Sequence, residues 1–365
     1  MKKIKLVLSD MHLGRGRTLP GGLTNSFEEF YYDEQFAEFL NYYTTGEFEG
    51  AEVELIINGD IFNFLQVDYN GHYLTVLTES ICLENLRTIV EGHPVFFDAL
   101  KEFLADPKHK LTYVIGNHDQ PMLWPGCQHY LNEYLGTQVR YRSIIYFFDG
   151  VHIEHGNMHE AANRLDPKKF FLKKDLPEPI LNLPFGSHFF VDFVLKIKHV
   201  RPYVDKVRPF KAFIRWGLVH DTWFTVKTLV KLLRFFLRTA LTRDARHPWS
   251  PRRIVEIVKE SAVFPDLETA AEKILYDDRV HTVIFGHSHV YMYRQFGPHK
   301  EYFNTGTWTE LTSLDITSLG KITKLTYVLL EYPEAGTESE EPVRPRGRLK
   351  EWRGYHRIEK DVDVS

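Results

Sequence analysis

Asp10 and His12 in SDMHLG, Asp60 in NGDIF, Asn117 and His118 in GNHD, His155 in EHGN, and His287 and His289 in GHSH are the residues of this chain best suited to chemistry. They are oxygen and nitrogen donors with no thiolate among them, a set that suits divalent manganese, iron or zinc. A carboxylate such as Asp60 can bridge two cations, while neutral imidazoles and the Asn117 amide complete the shells without overcompensating the charge. Side chains two apart on a strand point the same way, so Asp10 and His12 are expected to address one ion if the strand persists that far. The same logic covers His287 and His289, although Gly286 signals a backbone already turning. Gly59, Gly116, Gly156 and Gly286 adjoin the donors, as expected where the chain turns sharply or approaches a ligand closely. Each piece alone is weak, but the five pieces in this order, each after an apolar run, carry the reading together.

The elements that must position them are short apolar runs at 4–9, 53–58, 111–115, 151–154 and 282–285, each read as a buried strand whose C-terminal end delivers a polar cluster. Amphipathic stretches at 34–43 and 96–104 are read as helices between strands, which gives an α/β class, and runs at 302–304 and 322–331 add strands to a mixed or second sheet. The NTGTW stretch from Asn304 to Trp308 is expected either to line the site or to form a plain turn. His152 and His159 flank His155 and are read as structural or substrate-facing. The domain reading is a catalytic unit over 1–332, interrupted by a helical insertion over 158–262, and a charged, flexible tail over 333–365 that Trp352 and Tyr355 could pin down.

Composition narrows the partners. The 365 residues are 43% hydrophobic and 26% charged with a net charge of −4, so nothing chain-wide favours nucleic acid and any basic surface must be local. No apolar stretch approaches the roughly 18 residues needed to span a bilayer, and the apolar run after Met1 is too short for a signal peptide. The expected location is the cytoplasm, with peripheral contact at the inner membrane surface as the alternative to a freely soluble chain. Cys82 and Cys127 are read as packed, reduced thiols. Within the insertion, Lys227, Lys231, Arg234 and Arg238 recur at helical spacing among Trp223, Val226, Leu229, Leu233 and Leu237. This basic amphipathic helix is either a lid packed on the core or, through about 189–240, an element that rests on an anionic membrane or accepts acyl chains. A nucleic-acid groove is the third reading.

The series Asp10-x-His12, Gly59-Asp60, Gly116-Asn117-His118-Asp119, His155 and Gly286-His287-Ser288-His289 resembles the signature of the calcineurin-like metallophosphoesterases. The resemblance covers 4–290 and skips the insertion. It implies a four-layer α/β/β/α sandwich with the site at the strand ends. It also implies two divalent ions, manganese first with iron or zinc as alternatives: one held by Asp10, His12, Asp60 and His289, the other by Asp60, Asn117, His155 and His287. Water activated by both ions would attack phosphorus in line, and His118 would stabilise the transition state or protonate the leaving oxygen. Asp119 would either orient His118 or serve as a turn or capping aspartate. SDMHLG, NGDIF and a helical insertion ahead of GHSH are similar to the UDP-2,3-diacylglucosamine pyrophosphatases of lipid A synthesis. His118, and Asn157 after His155-Gly156, stand where that branch typically carries arginine and aspartate, so the chain reads as a relative of the branch. The expected function is a two-metal phosphoester hydrolase (phosphatase, phosphodiesterase or pyrophosphatase) on a phosphorylated small-molecule, nucleotide-linked or lipid-linked substrate. The alternatives are a metal-dependent nuclease, which calls for a basic groove with exposed aromatics, and a non-catalytic metal-binding protein, which calls for missing donors.

Overall fold

Leu6 and Leu8 lie on one face of strand Lys3–Leu8 and Val7 on the other, and all three are buried, so the strand needs cover on both sides. Leu55 and Ile57 against Ile56, and Tyr113 against Val114, repeat the pattern in strands Glu52–Asn58 and His109–Val114. A computed structural model shows how the cover is provided; it describes residues 2–19, 21–202, 204, 207–208, 210–241, 251–262, 267–313, 320–333 and 344–354.

A six-stranded sheet runs, edge to edge, through Arg346–Trp352, Leu325–Glu331, Lys3–Leu8, Glu52–Asn58, His109–Val114 and Arg140–Arg142. The last four are parallel, with Lys3 opposite Glu52 and Val53 opposite His109, and the first two are antiparallel additions. A five-stranded sheet runs through Met292–Gln295, Glu301–Asn304, Thr282–Phe285, Val151–Glu154 and Ile145–Phe148, with its three middle strands parallel. Val7, Ile56, Val114 and Val328 of the first sheet pack against Tyr146, Ile153, Ile284 and Phe303 of the second, forming the layer between the sheets. On the outer face of the first sheet lie helices Asp33–Tyr42, Glu79–Gly92, Pro94–Leu104 and Pro125–Leu135, which bury Phe36, Leu86, Phe97 and Leu131. Helix Leu267–Leu275 covers the second sheet. The result is the α/β/β/α sandwich, and its parallel strands all deliver their C-terminal ends to one rim.

The strands expected at 4–9, 53–58, 111–115, 151–154 and 282–285 and the helices at 34–43 and 96–104 are present within a residue or two. Cys82 and Cys127 are buried and free. Two expectations change. The run at 322–331 is interrupted, giving strands Gly320–Ile322 and Leu325–Glu331. The tail expected from 333 contains strand Arg346–Trp352, paired along its whole length with Leu325–Glu331, so the catalytic unit does not end at 332. Its Trp352 is buried against Phe39 and Tyr42, whereas Tyr355 lies outside the described residues.

Among its described residues, the stretch 158–262 is mainly helical and contains the short strands Phe171–Leu172, Ile180–Leu181 and Val207–Arg208. A continuous helical run follows from Phe185 to Lys198, with a π-helical turn at Phe190–Val194. Helices Phe210–His220, Thr222–Leu241 and Pro251–Ala262 complete it. No helix among the described residues is long and apolar enough to cross a membrane.

Candidate metal centre

The donors gather because each strand ends in a turn that only a tightly bonded backbone can hold. Eight non-glycine residues among the described residues have positive φ, and five of them are Asp10 (54°), His12 (56°), Asp60 (53°), His287 (66°) and His289 (60°). Such backbone costs free energy and persists where its surroundings over-determine it, commonly at functional sites. Here the Asp10 and His12 amides donate to the Gly59 and Asp60 carbonyls at 3.1 and 3.0 Å, and the His287 amide donates to Asp10 Oδ2 at 2.9 Å, tying the loops of both sheets together. Strand Lys3–Leu8 has ended before Asp10, so strand alternation does not align Asp10 with His12, nor His287 with His289; paired left-handed residues do. Gly116 is required because a Cβ there would collide with the Asp60 carboxylate, and Gly59 because one would meet the His155 ring.

The donor atoms form two neighbouring groups. Asp10, His12 and His289 make one, with His12 Nε2 and His289 Nε2 3.1 Å apart and His289 Nε2 3.3 Å from Asp10 Oδ1. Asp60, His155 and His287 make the other, with His155 Nε2 3.0 Å from Asp60 Oδ2. Donors about 2.1 Å from a common ion sit roughly 3.0–3.4 Å from one another, so these separations fit a divalent cation. His155 Nε2 is also 4.0 Å from Asp10 Oδ1, which brings the groups side by side.

Unsatisfied atoms supply the test of fit. Asp10 Oδ1, Asn117 Oδ1, His155 Nε2 and His287 Nδ1 are buried with no hydrogen-bond partner. A buried polar atom left unpaired costs about 1–3 kcal/mol, so a cluster of them calls for a ligand. Other contacts fix which atoms face inward. His155 Nδ1–H donates to the Asn58 carbonyl at 2.8 Å, leaving Nε2 towards Asp60, and His287 Nε2–H donates to Glu160 Oε2 at 2.6 Å, leaving Nδ1. Both follow the usual arrangement, in which a second partner sets the tautomer of a ligating ring. Charge points the same way. Burial works against ionisation, yet the His155 ring keeps Asp60 and Asp10 well below the usual carboxylate range, and Asp60 with Asp10 draws His155 up to about 10. The site therefore demands positive charge.

His118 sits at the edge of the centre, its ring 4.7 Å from that of His12. Its amide donates to Asp60 Oδ1 at 2.7 Å, and its Nδ1–H donates to Asn63 Oδ1 at 3.0 Å. Burial pushes its pKa down to about 3, so the ring is neutral in the free site. Asp119 does not touch it. Asp119 accepts from the Gly116 amide at 2.5 Å, the Tyr113 hydroxyl at 2.6 Å and the Ile61 amide at 3.2 Å, which makes it the brace of two site loops; burial lifts it to about 7. The partner that orients His118 is Asn63. His152 and His159 are structural, both directed at Glu154, at 3.6 and 2.5 Å. The NTGTW stretch buttresses the centre from behind: Asn304 Nδ2 donates to the Gly286 carbonyl at 2.7 Å and Thr307 Oγ1 to the Asp10 carbonyl at 2.6 Å.

The structure thus brings all of the sequence-predicted donors to one rim and adds Asn63 and Glu160, for which no spacing rule applies because each is joined to its histidine by tertiary contact. Among solved structures, the chain is similar to a putative 5'-nucleotidase from Staphylococcus aureus, at 12% identity and a TM-score of 0.36, covering 100% of this chain and 56% of that one. It is also similar to a dimetal phosphatase from Danio rerio, at 9% identity and a TM-score of 0.34, covering 96% and 99% of the two chains. Zinc-complexed Vps29 from Entamoeba histolytica matches at 11% identity and a TM-score of 0.27, again covering 96% and 99%. This chain spans little more than half the length of the nucleotidase, and likenesses this distant say nothing about substrate. No curated protein sequence matches significantly. A sequence model of the calcineurin-like phosphoesterases matches residues 5–291, a span that contains every candidate donor. The chain belongs to the calcineurin-like phosphoesterase family.

Proposed function

We propose that this chain hydrolyses phosphoester or phosphoanhydride bonds with two divalent ions, manganese being the first to test and iron and zinc the alternatives. The observation that carries the reading is the pair of donor groups at one rim with Asp10 Oδ1, Asn117 Oδ1, His155 Nε2 and His287 Nδ1 buried and unpartnered. Asp10, His12 and His289 would hold one ion, Asn117, His155 and His287 the other, and Asp60 would serve both. When bound, such ions lower the pKa of water and neutralise phosphoryl charge.

The remaining chemistry belongs to the protein. Asn63 keeps the proton of neutral His118 on Nδ1, so Nε2 is the atom that can gain one. Negative charge on an incoming phosphoryl group favours protonation of Nε2, and the ring then donates that proton to the leaving oxygen. Asp119 and the Gly59 and Gly116 turns hold Asp60 and Asn117 in register. His118→Ala should lower kcat by about 10²-fold or more, within the range of a positioned acid, while metal content stays at the parent value. Full retention of kcat on every ester would sink the assignment.

For substrate we favour a phosphorylated compound with an apolar, lipid-like portion. Next to the helical run that reaches His118 lies a cavity of about 460 Å³ lined by Phe189, Phe193, Ile197, Trp216, Phe224 and Leu229, among others. Beyond it, helix Thr222–Leu241 contains no acidic residue and exposes Trp223, Leu233 and Leu237 beside Lys227, Lys231, Arg234 and Arg238. This combination supports contact of 189–240 with an anionic membrane surface. The check is a panel of p-nitrophenyl phosphate, bis-p-nitrophenyl phosphate, a nucleoside diphosphate linked to an acylated sugar, and single-stranded DNA, each with and without chelator. Preference for the acylated member supports the reading. Preference for DNA would replace it with a nuclease, and metal binding without turnover on any member with a non-catalytic binding protein.

A further inference from the structure

Lys198 ends the helical run from Phe185 in the insertion and has no solvent exposure, an unusual setting for an ammonium group. Its Nζ donates to Glu29 Oε1 at 2.8 Å and to Gln66 Oε1 at 2.8 Å, and lies 5.7 Å from the Phe190 ring centre. Glu29 is itself buried, and its other oxygen, Oε2, accepts from Asn63 Nδ2 at 3.4 Å. Asn63 in turn presents Oδ1 to His118 Nδ1 at 3.0 Å. Phe190, from the same helical run, meets His118 edge-on at 5.6 Å between ring centres. An unbroken line of buried polar contacts therefore runs from the insertion to the imidazole beside the metal centre.

The direction of each bond matters. An amide has one accepting and one donating end, and which way it faces is decided by its neighbours. The Glu29 carboxylate can only accept, so it holds the Asn63 NH2 group on its own side and turns Oδ1 to His118. That oxygen, in turn, keeps the His118 proton on Nδ1 and leaves Nε2 for the substrate. Lys198 pairs with Glu29 at 2.8 Å and so favours its charged form in a buried place, where a carboxylate deprived of a charged partner tends to take up a proton or move to water. Without the anion, the amide is free to turn over and offer its NH2 group to Nδ1, which demands the opposite tautomer.

We propose that Lys198 and Glu29 are positioning residues that act through Asn63 to fix the tautomer and orientation of His118, so that the insertion is an integral part of the active centre. This deepens the functional reading above and rests on it for the role of His118. The two are separable by experiment. Heteronuclear NMR of the His118 ring nitrogens, without added metal, should show the proton on Nδ1 in the parent chain and on Nε2, or shared, in Lys198→Met and in Glu29→Gln. In the metal-loaded chain, both variants should lose turnover about tenfold or more on phenyl phosphate, a part of the 10²–10⁴ that a positioned acid contributes. On p-nitrophenyl phosphate, whose leaving group needs little protonation, the loss should be less than about threefold, with KM and metal content unchanged. The double variant Glu29→Leu, Lys198→Met removes both charges and relieves any folding defect of a lone buried ion, yet should remain as slow on phenyl phosphate as either single variant.

Parent-like turnover in the double variant, or a parent-like tautomer in both single variants, would overturn the proposal and leave the contacts a packing device. If His118→Ala itself showed no dependence on the leaving group, the acid role would fail instead, while the tautomer measurement would still decide whether the relay sets the ring.

Discussion

At the residue scale, the identity of the donors was readable because metal chemistry restricts it: carboxylates, imidazoles and one amide at the ends of apolar runs, with Asp60, Asn117, His155 and His287 directly next to glycine. The way they converge was not readable. Asp10 with His12 and His287 with His289 meet through left-handed backbone, and such φ values depend on contacts between loops hundreds of residues apart in sequence. Asn63 and Glu160 escaped notice for the same reason, since neither stands at a diagnostic spacing from the histidine it orients. Asp60 adjoins both donor groups and also anchors the His118 amide, so Asp60→Asn should weaken metal binding and turnover by more than about 100-fold, exceeding the 10–100-fold typical of residues one shell out. Metal content after dialysis and steady-state kinetics check this, and parent-like values for both would remove Asp60 from the centre.

Elements with a clear period were legible. Short apolar runs ending in polar turns marked the buried strands, and amphipathic spacing marked helices Asp33–Tyr42 and Pro94–Leu104. Strand Arg346–Trp352 was hidden because its sequence, RGRLKEW, is mostly charged, as suits a sheet edge, and only pairing with Leu325–Glu331 reveals it. Its anchor is testable: Trp352→Ala should cost about 3–5 kcal/mol, read from denaturant midpoints, and a change below about 0.5 kcal/mol would show the strand to be dispensable. A second element-scale device sits where helix Glu79–Gly92 meets helix Pro94–Leu104. His93 Nδ1 lies 2.8 Å from Asp33 Oδ1, and Nε2 lies 3.5 Å from Glu28, whose carboxylate also accepts the Gly14 and Gly16 amides beyond His12. Burial opposes charge on this ring, but Asp33 and Glu28 raise it from 6.5 to about 9. The stabilisation is therefore fully present below about pH 6.5 and is lost as pH rises towards 9, up to about 3 kcal/mol at roughly 1.4 kcal/mol per unit. His93→Gln should flatten stability across that window; an unchanged slope in the variant would place the proton elsewhere.

On the scale of the whole molecule, the two sheets form a frame whose parallel strands end at a single rim, and the insertion is built into that rim through Glu160, Phe190 and Lys198. Its far side is different in character, with apolar and basic groups exposed along helix Thr222–Leu241. Composition revealed that helix but not the side-chain contacts by which the insertion reaches the centre. Replacing Lys227, Lys231, Arg234 and Arg238 with glutamate should reduce cosedimentation with anionic vesicles by about tenfold or more, at roughly 1 kcal/mol per basic residue near a charged surface, with p-nitrophenyl phosphate turnover unchanged. Equal cosedimentation of parent and variant would return the helix to the role of a packed lid. Titrating chelated protein with manganese while following p-nitrophenyl phosphate hydrolysis tests the two-ion centre at the rim directly. The expected result is negligible turnover without metal and a rise that levels off at two equivalents per chain, whereas turnover indifferent to chelation, or saturation at a single equivalent, would contradict the two-ion centre.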